Sequence, residues 1–279
     1  VLALLWSACA PADDTPALIF GVFPYLPTAQ LERLYAPVAA DLSAATGREV
    51  QLRTRPSFEL FREELIEERY DLVFIQPFCF AAIAEPHGYQ SIARPEEPLK
   101  AVFAVRSDSD IQTFADLRSK TLSAPPQEAA ASLLGTETLR RHDLLPGSNI
   151  RLIYQNNHAS CLRAVLIRKS VACITAPAPL EVFSANTDVK FRILGYSDPI
   201  PGSTYAVHRR LPAALRQAIA ARIFSWKQTE TGKTLLASLK FSAFVASDNE
   251  DYLPVSDILR GLSDPNHSVA DEGHPDARR

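Results

Sequence analysis

The chain has 279 residues, 47% hydrophobic and 22% charged. These are proportions of a soluble globular protein of one large domain or two lobes, not of a disordered chain or a polytopic membrane protein. Its 29 basic residues against 32 acidic ones leave a net charge of -3, and the basic residues are scattered, so a nucleic-acid footprint is missing.

The chain begins at Val1 and lacks methionine, which suggests an alternative or truncated start. Val1 to Trp6 is apolar, Ser7-Ala8 is small, Cys9 follows, and Ala10 to Asp14 is a polar spacer. This order reads as the end of an export signal and resembles a bacterial lipobox, with Cys9 as the lipidated residue; an ordinary secretory signal is the alternative. The apolar run is too short to span a bilayer.

Ala17 to Phe23 reads as a first strand, and Thr28 can cap a helix carrying Leu31, Leu34, Tyr35, Val38 and Leu42 on one face. Glu49 to Arg55 alternates as a second strand. Ser57 caps a helix to about Glu68 with Leu60, Phe61, Leu65 and Ile66 inward, and Tyr70 to Ile75 is a buried third strand. A short helix near Cys79 to Ala84 precedes the strand Lys100 to Arg106, after which the polar run Ser107 to Asp110 offers a crossing into another lobe.

A similar series follows. Strands are expected near Thr121 to Ala124, at Ile150 to Tyr154 and at Val171 to Thr175, with helices at Glu128 to Arg141, His158 to Lys169 and after Pro179. Phe191 to Leu194 and Thr204 to His208 read as return strands. Amphipathic stretches at 212–228, 229–239 and 255–262 close the body.

Alternating strands and helices in two series predict an α/β protein of two lobes, the second inserted into the first, with a ligand cleft between them. Residues 1–16 form the signal remnant and linker, 17–99 the first part of lobe 1, 100–198 lobe 2, 199–262 the return to lobe 1, and 263–279 a disordered tail.

With Cys9 acylated, Cys79, Cys161 and Cys173 remain. An odd number without Cys-x-x-Cys spacing argues against a disulfide framework, a zinc site or a redox motif. Cys173 reads as a small buried hydrophobe.

Several segments in fixed order resemble the phosphate/phosphite/phosphonate-binding proteins of ABC importers, a family with the type II periplasmic-binding fold. They are Phe20 to Pro24, Tyr35 to Val38, Tyr70 to Phe74, Val105 to Ile111 with Phe114 to Thr121, Asn157 to Cys161, Phe244-Val245 and Asp251 to Val255. The resemblance implies an anion held in the cleft by a tyrosine after the first strand, a histidine, and a Ser-Thr-Ser run at a helix start. Tyr25 and His158 match the first two. The third position reads Glu128-Ala129-Ala130, where methyls and a carboxylate replace hydroxyl donors. An acidic position that some members use for an amino group reads Ile174-Thr175-Ala176, which disfavours an aminophosphonate. The solute is then another oxyanion held by backbone N–H groups, or something neutral.

His158 and Ser160 open a helix where donors can converge on an anion; as residues without the resemblance they read as a helix cap. Gln76 and Phe78, after the third strand, and Thr175 and Ser203, near crossovers, complete the ligand-binding candidates, with Phe80 better read as core. Cys79 and Cys161 fall near helix starts of opposite lobes, where thiol ligation is conceivable and burial commoner. No nucleophile elbow, phosphate loop, metalloprotease or dinucleotide motif is present, so no catalytic residue, metal or cofactor is expected. The expected protein is an extracytoplasmic solute-binding subunit, in the periplasm or on the outer face of the cytoplasmic membrane, partnering a membrane permease. The alternative is a sensor presenting its closed form to a membrane histidine kinase.

Overall fold

The computed structural model describes residues 16–263. Cys9 and the tail from 264 onward lie outside them.

The chain forms two mixed sheets. The first is six-stranded, in the order β11-β4-β10-β3-β1-β2. Its strands are β1 (Leu18–Val22), β2 (Val50–Arg53), β3 (Leu72–Ile75), β4 (Tyr89–Pro95), β10 (Thr204–His208) and β11 (Phe244–Ala246). The second is five-stranded, in the order β7-β6-β8-β5-β9, from β5 (Val102–Arg106), β6 (Thr121–Ala124), β7 (Arg151–Tyr154), β8 (Ala172–Thr175) and β9 (Phe191–Tyr196). The second sheet is thus built entirely from chain inserted between β4 and β10, which makes this a two-lobed fold.

In the first lobe α1 (Thr28–Thr46) and α2 (Phe58–Ile66) connect the parallel strands, and α3 (Pro77–Cys79) runs into a π-helical turn at Phe80–Ala84. In the second, α4 (Ala130–Arg141), α5 (His158–Leu166) and α6 (Pro177–Ser184) follow β6, β7 and β8. The return adds α7 (Ala213–Ser225), α8 (Glu230–Leu239) and α9 (Leu253–Ser263). α1 packs on α7 and α8, whereas α9 touches α3 and the π-turn in one lobe and α4 in the other.

The central strands are continuous apolar runs because both faces are covered: Leu72 to Ile75 and Thr204 to His208 are buried throughout. α4 lies unusually close to the second sheet. A Cβ on Gly135 would stand 2.4 Å from the Ile174 side chain, so only glycine permits this approach.

Several sequence expectations are corrected. β9 pairs with β5 in the second sheet and is not a return strand. The crossing precedes β5: Leu99 N–H donates to Ile200 O at 2.8 Å and Ile200 N–H returns to Leu99 O at 2.9 Å, while the polar run 107–110 lies beyond β5, within the second lobe. Thr28 does not cap α1; Pro27 occupies that position without a side-chain bond. On α2 only Phe61 and Leu65 are buried, with Leu60 and Ile66 exposed, because a helix resting on one side buries a stripe three to four residues apart. The disulfide expectation fails as well. Cys161 and Cys173 are bonded, with Cα atoms 5.7 Å apart, since α5 lies directly on β8.

Candidate functional site

Strand register places the site. β6, β7 and β8 run parallel, so Ala124, Tyr154 and Thr175 end at one rim of the second sheet. β5 enters there, because Val102 pairs with Thr175, and β9 leaves there, because Tyr196 pairs with Val102. In the first lobe Val22 and Ile75 end at the rim where β10 begins, with Thr204 paired to Ile75. Both lobes therefore present the carboxyl ends of their parallel strands, and the helix starts that follow, toward the crossing segments. Ligand sites of open α/β sheets lie at such rims.

A cleft of 530 Å³ lies there, lined by residues of both lobes. Its floor is apolar: Phe78, Cys79 and Ile83 are buried, and Phe58, Leu133 and Leu259 are half-buried. Gln76 caps α3, its Oε1 accepting from Phe78 N–H at 3.0 Å, which leaves the amide N–H groups to face the cleft. Glu59, Arg62, Gln127 and Glu128 are exposed at the mouth. Bonds from its own backbone N–H and the Ser57 hydroxyl hold the Glu59 carboxyl below its usual range. Arg62 has no ion pair or hydrogen bond among the described residues. Its charge draws down the Cys79 thiol, but burial dominates and pushes that thiol up to about 12, so it stays neutral. Next to Gln127 and Glu128, α4 begins at Ala130 with no side-chain cap; the Ala129 and Ser132 N–H groups donate to Pro126 O and Ala129 O, so only those of Ala130 and Ala131 lack a partner among the described residues.

Gln76, Phe78 and Glu128 are brought together in this cleft. His158 and Thr175 form a second group on the same rim, with His158 Nδ1 2.9 Å from Thr175 Oγ1. Thr175 is fully buried, and burial pushes the His158 imidazole below its usual value. Ser160 is committed to the start of α5: its N–H donates to Asn157 Oδ1 at 2.9 Å, and its Oγ accepts from Asn157 N–H at 3.2 Å. Tyr25 stacks on Phe23 at 4.7 Å and bonds its hydroxyl to that of buried Tyr35 at 3.0 Å. Its neighbour Phe23 packs on Phe58, which lines the cleft. Ser203 is half-buried on the returning segment, and Phe80 is core. Cys161, held in the disulfide, offers no thiol.

Sequence reasoning missed Arg62, Phe58, Leu133 and Leu259. The first two were detectable, since positions 58 and 62 share a helical face beside the buried 61/65 stripe. Leu259 was not, because α9 reaches the cleft only through tertiary packing. Among the described residues no group of three or more His, Cys, Asp or Glu could hold a metal ion, and no helix is long and apolar enough to cross a membrane.

The sequence profile described as ABC transporter, phosphonate, periplasmic substrate-binding protein matches residues 20–252. No protein with a curated functional description matches. Among solved structures, a binding protein component of an ABC phosphonate transporter from Pseudomonas aeruginosa is 17% identical, with TM-score 0.71 over 88% of this chain and 86% of that one. PhnD1 from Prochlorococcus marinus, in complex with methylphosphonate, is 13% identical, with TM-score 0.74 over 88% and 98%. A Xanthomonas citri protein bound to ATP is 16% identical, with TM-score 0.73 over 89% and 97%. At these identities the structures establish a shared fold.

Proposed function

Because the chain belongs to the family of periplasmic substrate-binding proteins of phosphonate ABC transporters, we propose that it captures an organic oxyanion, a phosphonate or similar head on an apolar body. The lobes close on it about the crossing segments, and the protein hands it to a membrane permease. The family is one of transport proteins that bind solute, which favours import over presentation to a sensor kinase.

The observation that carries this reading is the lining of the interlobe cleft. Its floor of Phe58, Phe78, Ile83, Leu133 and Leu259 suits an apolar body, and Arg62 is a cation at its mouth with no ion pair among the described residues. The uncapped start of α4, beside Glu128 and Ala129, offers the backbone N–H groups of Ala130 and Ala131 in place of the family's hydroxyls. Glu59 and Glu128 flank the mouth and by like-charge repulsion favour a singly charged head over a doubly charged one, while the apolar floor separates organic from inorganic anions. His158, Thr175, Tyr25, Gln76 and Phe78 complete the site in this reading. Ser203 contributes from the return segment, and the Ser160 hydroxyl contributes only by fixing the start of α5. Lobe 1 is taken as 17–99 with 199–262, and lobe 2 as 100–198.

A thermal-shift panel of phosphate, phosphite, methylphosphonate, phenylphosphonate and aliphatic sulphonates tests it. A solute at a hundred times its Kd adds about 2.7 kcal/mol of apparent stability. Phenylphosphonate or a longer sulphonate is expected to raise Tm more than phosphate, and Arg62→Ala to abolish the rise. A larger response to phosphate, or one indifferent to Arg62, sinks the reading. The order Ser7-Ala8-Cys9 also supports lipidation of Cys9 as the membrane tether. Release of the protein from membranes by Cys9→Ser is the expected outcome, and retention counts against it.

A further inference from the structure

The disulfide and the candidate solute contact share the same two elements. Cys161 lies one helical turn beyond His158 on α5, which puts both on one face. Cys173 lies two residues before Thr175 on β8, which likewise puts both on one face of the sheet. The Cys161–Cys173 bond and the His158–Thr175 hydrogen bond are thus successive rungs between α5 and β8. Both cysteines are fully buried, and the rung nearer the cleft is the polar one. Nδ1 is committed to Thr175, and Nε2 has no partner among the described residues.

We propose that the Cys161–Cys173 disulfide is a positioning clamp for the solute site, holding the first turn of α5 on β8 so that His158 keeps its bond to Thr175 and presents Nε2 at the rim. A hydrogen bond at a helix start frays readily, because it lies in the turn with the fewest backbone bonds. A covalent link one turn deeper removes the freedom that fraying needs. The inference rests on the reading of His158 as a solute contact. Its test uses solute-free protein, so failure of one leaves the other standing.

The test follows the His158 imidazole by nuclear magnetic resonance in the full chain, with His158→Gln to assign the signal. In the parent protein the ring is expected to titrate below the usual imidazole value. In Cys161→Ala/Cys173→Ala it should move back toward that value, while the rest of the spectrum stays native. Thr175→Val, which keeps the bridge, should shift the His158 signals while the α5 amides stay as protected as in the parent. A lower Tm with an unaltered His158 titration overturns the proposal and leaves the disulfide a stabiliser only. Should the bridge-free chain fail to fold, hydrogen exchange on oxidised and reduced parent protein decides. The Ser160 and Cys161 amides, bonded to Asn157 Oδ1 and O, should exchange about tenfold faster on reduction while those of α4 do not, and an equal change in both helices overturns the idea.

Discussion

The two sheets are held by different means. Around the first, Phe20, Tyr35, Phe74, Tyr205, Trp226 and Phe244 form a continuous aromatic cluster with ring centroids 4.8 to 6.1 Å apart. Asp41 is buried beside it, accepting from Trp226 Nε1 at 2.8 Å and from Arg222 Nε at 2.9 Å. On the α5 and α6 side of the second sheet, the buried cluster consists of Val102, Ala104, Cys161, Leu162, Val165, Cys173 and Leu180, and two of these are the bridged cysteines. The opposite side of that sheet, with Phe103, Val105 and Ile174, joins the large cluster. A large core holds chiefly by burial and dispersion; a small satellite gains proportionally more from a covalent link.

The largest expected loss comes from the aromatic side. Trp226→Ala removes a fully buried ring and orphans one Asp41 bond, and should cost about 3 to 5 kcal/mol in urea unfolding. Next, Cys161→Ala/Cys173→Ala should cost about 3 kcal/mol, the scale for a loop of this length, with exchange protection lost first in α5. An equal loss across both lobes would erase the contrast between them. Gly135→Ala forces α4 off Ile174 and should cost about 1 to 3 kcal/mol, weakening solute response as α4 shifts.

The smallest effect is one of pH. His208 donates from Nε2 to His87 O at 3.0 Å and accepts at Nδ1 from Arg210 N–H at 3.2 Å, an arrangement only the neutral ring allows. Burial first, then the Arg210 charge, lowers its pKa, and burial lowers that of His158. Both rings bind protons more readily when unfolded. Their contribution is therefore intact above about pH 6.5, the unfolded imidazole value, and is lost as pH falls toward the folded values. Acid titration of Tm on the parent and His208→Gln checks this: the variant's Tm should be lower near neutrality but fall less between neutrality and pH 5.

Much of this plan was legible because parallel strands buried on both faces are written as continuous apolar runs, as at Leu72 to Ile75. β4 was not, since its buried positions are Tyr89, Ser91, Ala93 and Pro95, mostly small or polar residues that write no apolar face. β11 is only three residues long. The rule that ligands gather at strand ends pointed to Gln76 and Phe78, and the family resemblance to Glu128, and all three line the cleft. Ser160, read from its place at a helix start, bonds there to Asn157. The disulfide was missed because counting cysteines says nothing of which helix lies on which strand, and that neighbour relation is created only by the β7-α5-β8 connection.

The mutual pairing of Leu99 and Ile200 makes the two passages between lobes a single narrow ribbon, and α9 adds a third tie nearby. Relative motion is thereby channelled into rotation about that ribbon, while sliding of one sheet past the other is resisted. Leu259, carried on that tie, is part of the cleft lining, so swapping its side chain alters pocket depth without touching either sheet.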